Sequence, residues 1–326
     1  MLALLVLVWT LAAPTYAHEV RPAYLEIRET PQAVDITWKQ PVAGDMALPI
    51  IPHLSSGWLE RPTRSQALTE TSLIHTWRIS GPHAPLAGQT LTVEGLDRSI
   101  TDALVQVDFV NGDTTTHVVR PDAPRLVIRP SEGAGAPVLD YLRLGITHIW
   151  LGFDHLLYVF GLVLLAPQWR RLLATVTAFT VAHSLTLAAA VFRVVVVSPP
   201  AVEAVIALSI VYVAAELVRV RRGEPSLASR APWIVAFIFG LLHGLGFASA
   251  LREVGLPAGQ VPMALLLFNV GIEAGQLVFV ALVLASLWLL ARSRKLSGAF
   301  LRGAPYLVGS LGAFWMIQRL ATIVGG

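Results

Sequence analysis

Ser131-Glu132-Gly133-Ala134-Gly135-Ala136-Pro137 divides the chain into two halves of opposite character. Small residues and a proline cannot build a core, so the stretch predicts a flexible linker over 131–137. Residues 138–326, on its C-terminal side, are almost wholly apolar, whereas residues 18–130 are punctuated by proline and glycine. Each half carries its own hydrophobic period, and the period decides the fold.

The C-terminal half holds six apolar runs, Val138–Leu165, Leu172–Phe192, Ala201–Val218, Pro232–Leu251, Val261–Leu290 and Ala304–Ile323. Each is near or above the ~20 residues that a helix needs to cross a bilayer. The whole chain of 326 residues is 55% hydrophobic and only 14% charged, with mean hydropathy +0.64. Soluble domains carry about 25% charged residues, so the composition points to a membrane bundle of six transmembrane helices. Arg170 and Arg171 follow the first run, Arg219, Arg221, Arg222 and Arg230 the third, and Arg292, Arg294, Lys295 and Arg302 the fifth. The alternate loops hold only Arg193 and Arg252. This bias predicts a multi-pass protein of the bacterial inner membrane with its N-terminal domain and C-terminus extracytoplasmic.

Met1 to Ala17 runs apolar through Leu11 and ends on Thr15-Tyr16-Ala17, which predicts a signal peptide over 1–17, although no basic residue precedes its apolar core. Residues 18–130 then show period-2 alternation in Tyr24–Arg28, Val34–Lys39, Leu73–Ile79, Thr90–Glu94, Leu104–Val110, Thr115–Arg120 and Arg125–Ile128, with turn chemistry between them, as at Asn111-Gly112-Asp113. Seven short strands predict a small antiparallel, sandwich-like all-β domain.

The chain has no cysteine, which excludes disulfides, thiolate metal sites and cysteine nucleophiles. Its net charge of +3 comes from basic residues beside apolar runs, a signature of topology that gives no reason to expect nucleic acid as a partner. The partners expected instead are the lipid bilayer, a metal ion and, through the β-domain, an envelope protein.

Polar side chains deep in the apolar runs carry the functional reading, because an ionisable group costs at least ~2.5 kcal/mol at mid-membrane and marks a cavity or a pathway. The first run contains His148, Asp154 and His155; the second contains His183 and Ser184; the fourth contains His243; the fifth contains Asn269, Glu273 and Gln276. His148 and His155 are seven apart, the spacing of one helical face two turns apart. Asn269, Glu273 and Gln276 form one stripe at i, i+4 and i+7. Taken singly, a membrane histidine serves as an interhelical hydrogen bonder, Glu203 suits a helix N-terminus, and Glu216 suits an ion pair with Arg219. Taken together, imidazoles and carboxylates at similar depth predict one shared site for nickel, cobalt, zinc or iron. Ser184, Glu216, Asn269 and Gln276 are candidates for relay or orienting roles around it.

His148, five intervening residues and then Asp154-His155 match the H-x5-D-H signature of the HupE/UreJ membrane proteins. Phe179-Thr180-Val181-Ala182-His183-Ser184, Phe239-Gly240-Leu241-Leu242-His243-Gly244-Leu245-Gly246-Phe247 and Phe268-Asn269-Val270-Gly271-Ile272-Glu273 resemble further motifs of that family, the last in the branch with an extracytoplasmic N-terminal domain. A related H-x4-D-H signature marks nickel/cobalt transporters. The resemblance implies secondary transport of nickel or a similar divalent metal, with His148, Asp154 and His155 as core ligands and His183, His243 and Glu273 as further ligands or relays. The large β-domain departs from the short nickel permeases.

Transport of a metal ion is therefore the leading expectation, and the chain is expected not to be an enzyme. Two alternatives stand beside it. An intramembrane metal-dependent hydrolase would use the histidines and Asp154 near Ser184 to activate water. A non-catalytic accessory protein would use the β-domain to bind a partner and the polar helix residues to hold the bundle together.

Overall fold

The computed structural model describes residues 22–43, 46–69, 72–130, 138–166, 168–224, 226–246 and 261–325. The expected signal peptide and linker lie outside the described residues. The chain divides into two compact units, one β and one helical.

Among the described residues, the β unit contains ten strands in two sheets. The larger has the order β5(Ser65–Leu68)-β6(Ser72–Ser80)-β2(Ala33–Ala43)-β1(Ala23–Glu29)-β8(Ala103–Asp108)-β9(Thr114–Val119), with β3(Met46–Ala47) paired to β2. The smaller has the order β10(Arg125–Val127)-β7(Thr90–Glu94)-β4(Ile51–Leu54). Leu25, Ile27, Ile36, Trp38, Val105 and Val107 of the first sheet share one buried cluster with Leu54, Leu91 and Val93 of the second. Side chains of this kind contribute about 1.5–3 kcal/mol each when fully buried, so the two sheets are held face to face as a sandwich. The β8–β9 hairpin turns at Gly112, whose φ of 88° favours glycine, and Asn111 braces the turn by accepting from the Asp113 amide at 3.0 Å.

All seven expected strands are present. The structure departs from the expected antiparallel arrangement at one pair: β1 and β8 run parallel, with Ala23 opposite Ala103 and Ile27 opposite Val107. Local alternation cannot reveal this, because it reports which face a residue takes and not which strand lies beside it.

The helical unit comprises α1(Val138–Leu151), α2(Phe153–Leu165), α3(Trp169–Val191), α4(Pro199–Arg221), α5(Leu227–Arg230), α6(Pro232–Gly246), α7(Val261–Ala291) and α8(Arg294–Gly325). Among the described residues, α3, α4, α7 and α8 are long and apolar enough to cross a membrane, and α1 with α2 makes a fifth if that bent pair is one span. The pair is bent by 73°. Helix α6 has 15 residues, and the rest of its expected run lies outside the described residues. The expectation of six spans is thus met by four or five. Leu266 and Trp288 of α7 and Phe314 and Ile317 of α8 are exposed, as suits helices whose outer faces meet lipid. These apolar helices make the chain a multi-pass membrane protein.

Small residues set the helix contacts. A Cβ on Gly240 or Gly244 would overlap the backbone carbonyls of Phe179 and His183, so α6 lies directly on α3. A Cβ on Gly145 or Gly271 would likewise overlap the carbonyls of Phe268 and Leu142, which joins α1 to α7. Both approaches bring histidine-bearing segments inward.

Candidate metal centre

Helix α1 stops at Leu151 and α2 starts at Phe153, with Gly152 between them at φ −79°, ψ 84°. On one continuous helix, seven residues would separate His148 from His155 by about 10.5 Å along the axis. The break shortens this, and the two ring centroids lie 4.9 Å apart. Helix α3 adds His183, whose ring lies 6.2 Å from each of them. One nitrogen from each of His148, His155 and His183 falls within 4.8 Å of the others. Nitrogens bound about 2.0–2.1 Å from one metal stand roughly 3.3–4.2 Å apart, so small ring movements close the triad on an ion. Helix α6 brings His243 to 4.8 Å from His155, centroid to centroid. All four histidines are buried.

The hydrogen bonds decide which nitrogens are available. Asn269 donates its amide N–H to the Leu265 carbonyl at 2.8 Å, which fixes the orientation of that amide. Its Oδ1 therefore faces His183 Nδ1 at 3.3 Å and can only accept, so Nδ1 carries the proton and His183 Nε2 keeps a lone pair. Ser209 works in the same way from α4. Its hydroxyl donates to the Ile206 carbonyl at 2.6 Å and so accepts from His243 Nε2 at 3.1 Å, leaving a lone pair on His243 Nδ1. Neither lone pair has a hydrogen-bond partner among the described residues, and neither ring nitrogen of His155 has one. Buried polar atoms without partners are rare and costly, and this concentration of them fits a bound cation. Phe179, Phe268 and Tyr158 pack on the rings at centroid distances of 5.1–5.4 Å from His243 or His148.

A family model described as HupE / UreJ protein matches residues 126–319, well over half of the chain. The chain belongs to the HupE/UreJ family. No curated protein and no solved structure matches it. HupE/UreJ proteins are linked to metal transport or handling, and the buried histidine triad has the chemistry to hold a metal ion.

The other expected site residues of this HupE/UreJ protein are distributed around the histidines. Asp154, beside His155 in sequence, makes an ion pair with Arg319 of α8, with Nη2 donating to Oδ2 at 2.6 Å. Glu273 accepts from the Thr177 hydroxyl at 2.7 Å, and Gln276 accepts from the Thr180 hydroxyl at 3.1 Å. Together with His183–Asn269, these pairs make a polar ladder between α3 and α7. Ser184 donates to the Thr180 carbonyl at 2.7 Å. Glu216 lies away from this group and pairs with Arg219 at 3.1 Å, near the C-terminal end of α4. Glu203, expected as a dipole partner, also meets Arg319, at 3.7 Å from Nε.

Arg319 is absent from the sequence motifs of the HupE/UreJ protein, yet it is a buried cation beside the site. Its signal is available in the sequence. It is the one charged residue after Arg302, in the apolar C-terminal stretch of α8, where an arginine needs a carboxylate partner.

Proposed function

We propose that this protein is a secondary permease for a divalent transition metal such as nickel or cobalt. In this reading His148, His155, His183 and His243 form the mid-membrane binding site, Asp154 is a carboxylate ligand that can join them, and Glu273 is a further ligand or relay. The observation that carries the reading is the imidazole of His155, buried between the other histidines with both nitrogens lacking hydrogen-bond partners among the described residues. An ion entering such a site must lose water, and imidazole nitrogens replace the lost oxygens. The ladder Asn269, Glu273, Gln276 then offers oxygen atoms along one face of α7 to a departing cation.

The same reading takes the broken pair α1–α2 as one span and α6 as part of another, which makes six crossings. The basic loops then face the cytoplasm, residues 1–17 act as a signal peptide, and the β-domain of residues 18–130 and the C-terminus lie outside the inner membrane. The β-domain is free to dock an envelope protein.

The test is uptake of nickel or cobalt into liposomes containing the full chain. His155→Ala and His183→Ala are each expected to reduce initial uptake by about 10–100-fold, as loss of a metal ligand or its support does. Wild-type uptake by both variants would refute the site.

A further inference from the structure

Arg319 sits between two carboxylates supplied by two other helices. Its Nη2 donates to Asp154 Oδ2 at 2.6 Å, its Nη1 donates to the Glu203 backbone carbonyl at 3.0 Å, and its Nε lies 3.7 Å from Glu203 Oε2. The guanidinium side chain is only 7% exposed, and the two carboxylates are 15% exposed each. A buried ion network of this kind is retained for function more readily than for stability. Asp154 is the residue before His155.

Two contacts differ in strength. The bond to Asp154 is short and charge-assisted, whereas the approach to the Glu203 carboxylate is longer. The guanidinium is also held by the Glu203 carbonyl, which keeps it within reach of both carboxylates.

We propose that Arg319 is a tethered counter-cation that holds Asp154 while the histidine site is empty and passes to Glu203 when a divalent metal enters, releasing Asp154 to join the histidines. The proposal rests on the metal-binding reading above. It makes Arg319 a positioning residue that acts through Asp154. It also supplies a valence filter. A dication attracts the Asp154 carboxylate twice as strongly as a monovalent ion at equal distance, and so competes with the guanidinium where sodium or potassium does not.

The test uses the purified full chain in detergent, titrated with Co2+, with affinity read by calorimetry and ligand set read from the visible spectrum of the bound ion. Glu203→Gln removes the carboxylate that receives Arg319, and Co2+ affinity is expected to fall about tenfold. Arg319→Gln removes the competitor, and affinity is expected to rise about tenfold with the wild-type cobalt spectrum preserved. Asp154→Asn is expected to change that spectrum, because an oxygen ligand is lost.

Wild-type or tighter affinity in Glu203→Gln would overturn the proposal, as would weaker binding by folded Arg319→Gln. Should Arg319→Gln fail to fold, Glu203→Gln decides alone. A structural strut alone would leave the cobalt spectrum the same in Asp154→Asn. His155→Ala separates the two readings. If it binds Co2+ as wild type does, the metal site fails and this proposal with it. If it loses binding while Glu203→Gln matches wild type, only this proposal fails.

Discussion

Gly152 lies so close to His155 that a Cβ on it would stand 2.8 Å from Nδ1 of that ring, and 2.8 Å from the His148 carbonyl oxygen as well. The residue that breaks the helix therefore also makes room for the imidazole. The carbonyl belongs to the backbone and cannot step aside, so a methyl group here must displace the His155 ring or straighten the break. Gly152→Ala is expected to keep the helical circular dichroism of the protein and to weaken Ni2+ or Co2+ binding by about tenfold or more, measured by calorimetry. Wild-type affinity in this variant would show that the ring has room to spare.

The tautomer of His183 depends on Asn269. Asn269→Leu removes the acceptor that keeps the proton on Nδ1, whereas Asn269→Asp keeps an acceptor in the same place. Metal affinity is expected to fall roughly 10–100-fold in Asn269→Leu and to remain within a few-fold of wild type in Asn269→Asp. Equal losses in both would mean that Asn269 acts through packing and not through the proton.

Contact between α3 and α6 leaves no space for a side chain at Gly244, where a Cβ would meet both the His183 carbonyl and the Thr186 hydroxyl. Gly244→Val is expected to destabilise the helical unit by about 1–3 kcal/mol or more, because both partners sit on one packed helix. A lowered melting temperature in detergent, with His183 and His243 no longer cooperating in metal binding, checks this. An unchanged melting temperature would refute the close packing.

The β unit carries its own pH dependence. Burial lowers the pKa of His117 on β9, and that of His75 on β6, below the usual histidine value. A group that is harder to protonate when folded stabilises the fold above its unfolded pKa of about 6.5, and this stability declines as pH falls from there toward the folded pKa. Hydrogen exchange of the full chain is expected to show β8 and β9 opening more often at pH 5 than at pH 7.5. His117→Gln is expected to flatten that difference, and an unaltered pH response in the variant would exclude His117 as its source.

Much of this structure is legible in the sequence, for physical reasons that also explain the gaps. Seven of the ten strands among the described residues show alternation because each has one face on the shared core. The other three lack that signal: β3 has two residues, β4 contains Pro52, and β5 is exposed at all four positions. Histidines stand out in apolar runs because lipid tolerates them poorly. Their convergence does not stand out, since it depends on the 73° bend at Gly152, which helical periodicity treats as continuous. Asp154 is visible as a site residue, but its ion-pair partner Arg319 lies 165 positions away. Long-range ion pairs leave no periodic trace, so only the oddity of a buried arginine marks this one.

The parallel pairing of β1 with β8 has a consequence for the order of assembly. Strand β1 can close on β2 as soon as residues 23–43 are available, because their hairpin is local. Its other edge waits for Ala103–Asp108, some 80 positions later. At roughly 5–20 residues per second, synthesis takes several seconds to supply that partner. Throughout that interval the nascent chain exposes the unpaired edge of what becomes a central strand, a template for aggregation. Slow closure of non-local strand pairs lengthens the interval further. The larger sheet therefore cannot close around its central strand until residue 108 has been made, whatever the speed at which the local hairpins form.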